Sequence, residues 1–457
     1  MSFTRRQVLT GLAGLSVIGV TAGAVRYWVG RPAKVTTHDY EVIAAPFDLE
    51  LLPGHMTPAW GYNNLAPGVE IRARQGDRLR VRFINKLPEW STIHWHGLRI
   101  PIEMDGVPYV SQLPVLPGEY FDYEFDLPDA GSFWYHPHMV SGPQLGRGLV
   151  GPIIVDERDG TDFKHDYTLC LKTWPIDEKG QFTEFSIPRD AARGGTLGTV
   201  FTINGKIKPE LDLPAGQIVR LRLLNLDNTA TYRLRLDNKN IQIYAIDGQP
   251  VAPARPFPKE YRLGPGMRLD LAYKVPAAGT TERMLNGPLT LARFNSVEQG
   301  LPEQTTWPRT LPANPLAEPD LENAEVMRFN FEWAGMLSVP NKDNYTFWQI
   351  NGQAWDIQDN TCADRPIAVL KEGQSYIFEL RNISQYQHPI HLHGMAFKIL
   401  SSNRHKIDPY FTDTYLLDKQ ETARVALVAD NIGTWMFHCH VIDHMETGLM
   451  AAIKVEK

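Results

Sequence analysis

A spaced pattern of glycine and asparagine occurs three times along the chain and constrains its fold most strongly. In each copy an asparagine follows a glycine by nine residues, and a third position follows nine residues later. The three copies are Gly76, Asn85 and His94; Gly216, Asn225 and Leu234; and Gly373, Asn382 and His391. Each glycine precedes a run of alternating apolar residues, which is typical of a strand that begins after a turn. The pattern therefore predicts three homologous β-domains.

The repeat sets the expected organisation of the chain. With 34 Pro and 36 Gly among frequent alternating runs, the sequence predicts an all-β protein. Each repeat has a length that suits one β-sandwich core. We expect domain 1 at residues 36–157, domain 2 at 163–300 and domain 3 at 321–457. A proline-rich linker at 301–320 would connect the last two domains.

Ten of the 14 histidines lie in four short clusters, each of which contains a His-x-His pair. The clusters are His94-Trp95-His96, His136-Pro137-His138, His388 to His393, and His438-Cys439-His440 followed by His444. Alternate side chains of a strand point to the same face, so both imidazoles of a pair would face one metal site. Structural zinc sites use four ligands at compact spacing, so this large and widely spread set disfavours zinc.

Cys439 lies between His438 and His440, which a strand would place on the opposite face. Thiolate is a ligand for copper or zinc, and imidazole is a ligand for copper, zinc and iron. The segment therefore predicts one strand that borders two metal sites, with a covalent connection between them. Such a connection suits a protein that transfers electrons.

A second repeated element restricts where these sites can form. The segment Gly131–His138 aligns with Gly433–His440, and Pro137 occupies the position of the cysteine. The middle domain has Leu234 and Leu236 at the positions of the histidine ligands, so we interpret it as a spacer without copper. Only the third domain can form a sulfur-containing site. The imidazoles of the outer domains can meet only if those two domains pack together.

These motifs resemble the three-domain multicopper oxidases, which include laccases, bilirubin oxidases, cuprous oxidases and ferroxidases. Within the family, the segment Met104–Gln112 is most similar to the CumA-type enzymes of pseudomonads, to which manganese oxidation has been attributed. The resemblance implies three cupredoxin-like Greek-key β-sandwiches. It also implies an oxidase that couples four one-electron oxidations to the reduction of dioxygen to water. The implied donors are phenols or metal ions such as Mn(II), Fe(II) and Cu(I).

The resemblance further implies four copper ions with defined ligands. A type 1 copper would be held by His388, Cys439 and His444. A trinuclear cluster between domains 1 and 3 would have its type 2 copper at His94 and His391. Its type 3 pair would be held by His96, His136, His138, His393, His438 and His440.

The position expected to lie axial to the type 1 copper is Leu449, five residues after His444. Many relatives have Met at this position, but Met450 is one residue further along, and a shift of one residue in a strand reverses the face. We therefore expect a three-coordinate site with a raised reduction potential. The alternative is a register slip that brings Met450 to the metal.

Three acidic residues are candidates for further roles. Asp105 matches an acidic residue that relatives place near the type 2 copper, and we expect it to donate protons; otherwise it is a turn residue before Gly106. Glu446 is a second candidate for proton delivery. Asp413 aligns with an acid at the substrate edge of the type 1 copper, and the alternative is an exposed loop carboxylate.

Residues 1–24 contain the twin-arginine pattern Thr4–Leu9, an apolar run and a small-residue cleavage site. We expect a signal peptide read by the twin-arginine export machinery, and hence a periplasmic protein. An uncleaved N-terminal membrane anchor is the alternative. Without Arg5 and Arg6 the chain has 44 basic and 52 acidic residues, a net charge of −8, which disfavours nucleic-acid binding.

The mature chain has no apolar run long enough to span a membrane, and we expect a monomer. A competing hypothesis is a non-catalytic copper-binding or structural periplasmic protein on the same scaffold. Because all eleven candidate ligands are present, we favour the oxidase.

Overall fold

The computed structural model describes residues 35–335, 345–357 and 361–457, and this part of the chain forms six β-sheets. The sheets fall into three consecutive pairs, which we name the first, middle and third sandwich. This arrangement confirms the expected all-β fold of three cupredoxin-like Greek-key sandwiches. The expected signal peptide at 1–24 lies outside the described residues. No helix in the described ranges is long and apolar enough to cross a membrane.

The first sandwich contains strands β1 to β8. Its elements are β1 (Thr37–Leu52), β2 (His55–Tyr62), β3 (Ile71–Arg74), β4 (Arg78–Asn85), β5 (His94–His96), a 3-10 helix (Ile102–Met104), β6 (Tyr120–Asp126), β7 (Gly131–His136), α1 (Ser141–Arg147) and β8 (Gly151–Asp156). One sheet has the order β2-β1-β4-β6 and the other β3-β8-β7-β5. Val81 and Phe125 from the first sheet pack with Trp95 and Ile153 from the second in one buried core.

The middle sandwich contains strands β9 to β19. Its elements are β9 (Asp166–Trp174), α2 (Pro188–Ala191), β10 (Val200–Ile203), β11 (Glu210–Pro214), β12 (Ile218–Asn225), β13 (Tyr232–Leu236), β14 (Ile241–Ile246), β15 (Gln249–Pro256), β16 (Tyr261–Leu263), β17 (Arg268–Lys274), β18 (Thr281–Asn286) and β19 (Leu289–Val297). The sheet orders are β10-β9-β12-β17-β14-β15 and β11-β19-β18-β13-β16. Leu234, at the ligand position of the repeat, is fully buried in the core between these sheets.

The third sandwich contains strands β20 to β30. Its elements are β20 (Glu325–Trp333), β21 (Trp348–Ile350), a 3-10 helix (Cys362–Asp364), β22 (Ala368–Lys371), β23 (Ser375–Asn382), β24 (His388–Leu392), β25 (Phe397–Ser402), β26 (Tyr410–Thr412), β27 (Thr414–Leu417), β28 (Thr422–Val428), β29 (Gly433–Cys439), α3 (Ile442–Glu446) and β30 (Met450–Glu456). The sheet orders are β21-β20-β23-β28-β25-β26 and β22-β30-β29-β24-β27.

The asparagine of the repeat makes the same set of hydrogen bonds in all three sandwiches. In each case Nδ2 donates to two backbone carbonyl groups, and Oδ1 accepts from the backbone N–H two residues later. The partners are Glu89, Val115 and Leu87 for Asn85; Ala230, Leu263 and Asp227 for Asn225; and Tyr386, Asp418 and Ser384 for Asn382. The repeated spacing therefore reflects a buried asparagine that forms hydrogen bonds to an equivalent set of backbone groups in each sandwich.

Candidate metal centre

Strand pairing brings the predicted ligands together. In the first sandwich β5 pairs with β7, with His94 opposite His136. In the third sandwich β24 pairs with β29, with His391 opposite His438 and Ile390 opposite Cys439. Because side chains alternate along a strand, β29 directs Cys439 to one face and His438 to the other.

His388, Cys439 and His444 form a compact group, which we name the cysteine site. Sγ of Cys439 lies 3.6 Å from Nδ1 of His388 and 3.6 Å from Nδ1 of His444. The two Nδ1 atoms are 3.0 Å apart. All three side chains are fully buried, so three soft or borderline donor atoms converge on one point away from water.

The surroundings of the cysteine site fix both imidazole rings. The Nε2 atoms point away from Cys439: that of His388 lies 2.9 Å from Oγ of Ser384, and that of His444 lies 2.9 Å from the backbone oxygen of Arg193. Arg193 belongs to the middle sandwich, just after α2. The ring of Trp348 packs against both imidazoles, with ring centres 4.9 Å from His388 and 4.5 Å from His444.

Leu449 and Met450 lie in different apolar environments. Leu449 is fully buried in the same hydrophobic cluster as Cys439, and its backbone oxygen accepts a hydrogen bond from the N–H of Cys439 at 3.0 Å. Met450 belongs to a separate cluster with Met436 and Met445. These positions support the expectation that Leu449, rather than Met450, faces the cysteine site.

The other eight predicted ligands form a second group between the first and third sandwiches, which we name the imidazole site. Their rings fall into two sets of three and one pair. The rings of His96, His136 and His440 have centres 4.9–5.8 Å apart. The rings of His138, His393 and His438 have centres 5.1–5.3 Å apart. The rings of His94 and His391 complete the group, with centres 5.9 Å apart.

The hydrogen bonds of these imidazoles suit metal ligation. Nδ1 of His94, His391 and His438 is bonded at 2.9 Å to the backbone oxygens of Asp105, Asp413 and Cys439, respectively. The opposite nitrogens of several rings are buried and have no hydrogen-bond partner within the described part of the chain. They are Nε2 of His94, His136, His138 and His391, Nδ1 of His96, and both ring nitrogens of His440. Orienting one ring nitrogen while leaving the other for a metal is the usual arrangement of metal-binding histidines, so the residues present fit copper.

Burial favours the neutral state of the candidate imidazole ligands, which is the state that binds a metal ion. It lowers the pKa of His438 and of His444 to about 3, because a charged imidazole loses its hydration there. For the same reason the pKa values of other ligands lie well below the usual value: His96, His136, His138, His388, His393 and His440. These imidazoles are therefore neutral at neutral pH, which is the state that coordinates metal ions. Burial raises the pKa of the Cys439 thiol, and a bound metal ion would be needed to stabilise the thiolate.

Asp105 lies directly against the imidazole site. Its Oδ2 is 2.8 Å from Nδ1 of His393, and its Oδ1 is 3.2 Å from Nδ1 of His94. The side chain is 1% exposed and faces the interior of the protein, although Asp105 also lies at the end of the 3-10 helix, directly before Gly106. One carboxylate thus contacts an imidazole from each outer sandwich.

Glu446 lies on α3 and lines a cavity of about 510 Å³ that His138 also lines. Its Oε1 accepts a hydrogen bond from the N–H of Gly142 at 2.8 Å. Burial raises the pKa of the carboxyl to about 7, although the Gly142 N–H opposes this change. The cavity wall also includes Met436, Met445 and other apolar side chains, which contribute to the burial of the carboxyl.

The position of Asp413 differs from the expected substrate edge. The side chain is 3% exposed and lies at the imidazole site, where its Oδ1 is 3.3 Å from Nε2 of His96 and 3.4 Å from Nδ1 of His391. Strand β27 explains the difference, because Thr414 pairs with His391 while Leu417, at the other end, pairs with His388. Burial alone would raise the pKa of Asp413, but the guanidinium group of Arg268 holds it well below its usual value.

Three groups that the sequence did not identify contact the candidate ligands or their neighbours: Arg268, Trp348 and the backbone oxygen of Arg193. Arg268 alternates with apolar residues on β17, as Arg220 and Arg222 do on β12. This alternation was the available signal for Arg268, but it does not show that the charged face is buried. A backbone carbonyl has no signature in the sequence, so Arg193 could not be found in this way.

Comparisons with known proteins agree with this geometry. Models of the multicopper oxidase family match residues 47–160 and 336–457. The crystal structure of a multicopper oxidase from Pseudomonas thermotolerans is similar, with 64% sequence identity and a TM-score of 0.88; the match covers 92% of this chain and 100% of that one. The multicopper oxidase from Pseudomonas parafulva has 62% identity and a TM-score of 0.86, with the same coverage. The multicopper oxidase mco of Staphylococcus aureus is 27% identical over 434 residues, 92% of this chain and 88% of that protein.

The chain belongs to the multicopper oxidase family. It is a copper-dependent oxidoreductase of laccase-like type, which oxidises an electron donor and uses dioxygen as the acceptor. This assignment favours the oxidase over the non-catalytic alternative.

Proposed function

We propose that this oxidase holds four copper ions at the two sites described above. The cysteine site would hold the type 1 copper at His388, Cys439 and His444, with Leu449 at the non-coordinating axial position. The pair His94 and His391 would hold the type 2 copper. The two sets of three imidazoles would hold the type 3 pair, as the resemblance to the family implies.

The observation that carries this proposal is the position of β29 between the two sites. Cys439 contacts His388 and His444 on one face of the strand, while His438 and His440 belong to the imidazole site on the other. When bound, copper would supply one-electron oxidation at the cysteine site and four-electron reduction of dioxygen at the imidazole site. The bonded backbone from Cys439 to its two neighbours gives the shortest covalent connection between the sites.

We also propose that Asp105 and Glu446 handle the protons that the reaction consumes. Asp105 supports this role by its contacts with His94 and His393, and Glu446 by its place in the wall of the cavity that reaches His138. In Asp105→Asn, we expect slow reoxidation by dioxygen and normal reduction of the type 1 copper, measured by stopped-flow absorption. Unchanged reoxidation would contradict the role of Asp105.

The electron donor is proposed to be a phenol or a metal ion such as Mn(II), Fe(II) or Cu(I). Because the cysteine site is buried and His444 is covered by the carbonyl of Arg193, the donor would transfer its electron without binding directly to the copper. We further propose domain limits at 36–157, 163–300 and 321–457, with a linker at 301–320. Export by the twin-arginine machinery would place the protein, as a monomer, in the periplasm.

Oxygen consumption by the purified, copper-loaded protein tests the proposal. Copper content, the visible absorption of the type 1 site and the electron paramagnetic resonance spectrum would establish the four ions. Rates with Mn(II), Fe(II), Cu(I) and a phenol, each with and without added copper, would identify the donor class. Failure to consume oxygen with any of these donors despite full copper loading would contradict the proposed reaction.

A further inference from the structure

We propose that Arg268 of the middle sandwich is a positioning residue for the imidazole site. This inference rests on the proposed function and extends it, because it assigns a role in copper retention to a sandwich that contributes no copper ligand. The role would be exercised through Asp413, which lies between Arg268 and two of the imidazoles.

Arg268 is held in a single orientation by groups from all three sandwiches. The side chain is fully buried. Its Nη1 and Nη2 donate to the two carboxylate oxygens of Asp413 at 2.7 and 2.6 Å. Its Nε donates to the backbone oxygen of Ser132 in the first sandwich at 3.0 Å, and Nη1 also donates to the oxygen of Gly266 at 3.2 Å. Such a two-pronged pair with a planar guanidinium fixes the plane of the carboxylate as well as its position.

Asp413 transmits that orientation to the imidazole site. Its backbone oxygen accepts from Nδ1 of His391 at 2.9 Å, and its Oδ1 lies 3.3 Å from Nε2 of His96. Thr414 donates its hydroxyl to Oδ1 of Asp413 at 2.8 Å, and the same hydroxyl oxygen is 3.2 Å from Nε2 of His96. The imidazole rings of His96 and His391 are stacked, with their centres 3.8 Å apart and an angle of 11° between their planes. One carboxylate therefore sets the relative position of an imidazole from the first sandwich and one from the third.

Two glycines show how closely the middle sandwich approaches this site. A Cβ atom at Gly97, which follows His96, would collide with Nη2 of Arg268 and would lie 2.7 Å from Oδ2 of Asp413. A Cβ atom at Gly266 would lie 2.9 Å from the ring of His440 and 3.0 Å from that of His96. Both residues have positive φ angles, 87° and 82°, which favour glycine. The backbone thus leaves room for the guanidinium and for the rings, and for no additional side-chain atom.

A buried ion pair could instead serve only to join two sandwiches, and the protein contains such a pair for comparison. Arg220 is 1% exposed and bonds to Glu157 at 2.8 Å and to Asp270 at 2.6 Å. None of the described hydrogen bonds or ion pairs of its side chain involves a histidine. Arg220→Met is therefore a matched control, because it removes a buried interdomain arginine that does not contact the imidazole site.

The experiment measures copper binding and spectra of Arg268→Met, Arg268→Lys and Arg220→Met beside the wild type. Mutation of a residue that contacts a metal-binding histidine from outside the ligand set typically lowers metal affinity about 10–100-fold. We expect Arg268→Met to weaken copper at the type 2 position by about that factor in chelator competition, with an altered electron paramagnetic resonance signal and unchanged type 1 absorption. Arg268→Lys keeps the positive charge but cannot form two parallel hydrogen bonds to the carboxylate. Its copper affinity at the type 2 position should lie between those of the wild type and Arg268→Met. Arg220→Met should lower the melting temperature and leave copper affinity unchanged.

Two results would overturn the inference. In the first, folded Arg268→Met binds type 2 copper with the same affinity and the same spectrum as the wild type. In the second, this variant loses as much copper from the cysteine site as from the imidazole site. If the Met variant does not fold, Arg268→Lys decides, and wild-type copper affinity in that variant would count against the role. Failure of the wild type to bind copper at the imidazole site would instead contradict the proposed function.

Discussion

The middle and third sandwiches share one architecture and differ in what they do with it. Each has a six-stranded and a five-stranded sheet and carries the Gly–Asn repeat with the same asparagine hydrogen bonds. At the third position of the repeat, Leu234 fills the core of the middle sandwich, whereas His391 of the third sandwich turns to the imidazole site. The fold therefore depends on the glycine and asparagine, and the chemistry depends on a few positions that the fold leaves free to vary.

The comparison also shows that the middle sandwich, which the sequence predicts to be a spacer without copper ligands, contacts both candidate sites. It places Arg268 against Asp413 and the backbone oxygen of Arg193 against His444. Both contacts are made from outside the third sandwich to residues of its candidate metal sites. The middle sandwich thus borders both sites. Variants in the middle and third sandwiches should therefore differ in their effects on copper binding, spectra and stability.

The largest expected effect is that of Cys439→Ser in the third sandwich. A serine hydroxyl cannot replace the thiolate as a soft ligand, so the type 1 absorption and donor oxidation should be lost completely. Copper at the imidazole site should remain, measured by metal content and electron paramagnetic resonance. Cys170→Ser, at a buried cysteine of the middle sandwich, is the matched control and should keep both colour and activity. Retention of the type 1 absorption in Cys439→Ser would refute the ligand assignment.

The repeat asparagines provide a pair of equivalent substitutions. Asn225→Ala and Asn382→Ala each remove three buried hydrogen bonds, and each should cost about 4 kcal/mol in the free energy of unfolding. Only Asn382→Ala should also change the type 1 spectrum, because Asn382 holds Ser384, whose hydroxyl contacts His388. Chemical denaturation and visible absorption of the folded variants measure the two effects. If Asn225→Ala changes the type 1 spectrum as much as Asn382→Ala does, the spectral change does not depend on the contact from Asn382 through Ser384 to His388.

Lys172 of the middle sandwich offers a pH-dependent test. Burial lowers its pKa from 10.5 to about 8. Below pH 8 the lysine is charged in the folded and unfolded protein, so the full cost of burying the charge is present. Above pH 8 the folded form binds fewer protons than the unfolded form, and that cost disappears as the pH approaches 10.5.

Lys172→Met should therefore stabilise the protein at pH 7 by up to about 3 kcal/mol, and the gain should vanish near pH 10.5. The lost contacts of the ammonium group with Asn228 and Trp174 will reduce the gain. Denaturation curves across this pH range are the measurement, with Lys179→Met at an exposed position as the control. A gain that does not depend on pH would rule out the buried charge as its cause.

Leu449→Met should have the smallest effect on stability, because exchanging these side chains in a core usually costs less than about 1.5 kcal/mol. Its effect should appear in the reduction potential of the type 1 copper, which should fall when a thioether is offered as an axial ligand. Redox titration followed by visible absorption would measure this change. If the potential stays the same, Leu449 does not occupy the axial position.

Local patterns in the sequence predicted much of the fold. The Gly–Asn spacing predicted three sandwiches because each asparagine bonds to nearby backbone in the same way. Alternation along β29 predicted that Cys439 and its two histidine neighbours face different sites. The resemblance to the family also predicted Asp105 near the type 2 position, and its carboxylate contacts His94 of that pair, whereas its contact with His393 was not predicted.

The arrangement of charges between sandwiches could not be predicted in the same way. Alternating charged residues on β12 and β17 resemble a solvent-exposed face, but Arg220, Arg222 and Arg268 are buried against neighbouring sandwiches. Asp413 lies between two short strands and resembles a loop carboxylate until Arg268 is placed beside it. These positions depend on how the sandwiches dock, which single-sequence patterns do not specify.

The separation of the ligands along the chain also has a consequence for the order of events during protein synthesis. His94 and His440 both belong to the imidazole site, and every residue between them must be translated before that site can close. The cysteine site requires a few residues more, as far as His444. The first sandwich alone would present only four of the eight imidazoles to the solution. Neither site can therefore offer its full set of proposed ligands until the chain has been translated as far as His440 and His444, so copper insertion would have to follow synthesis of most of the third sandwich.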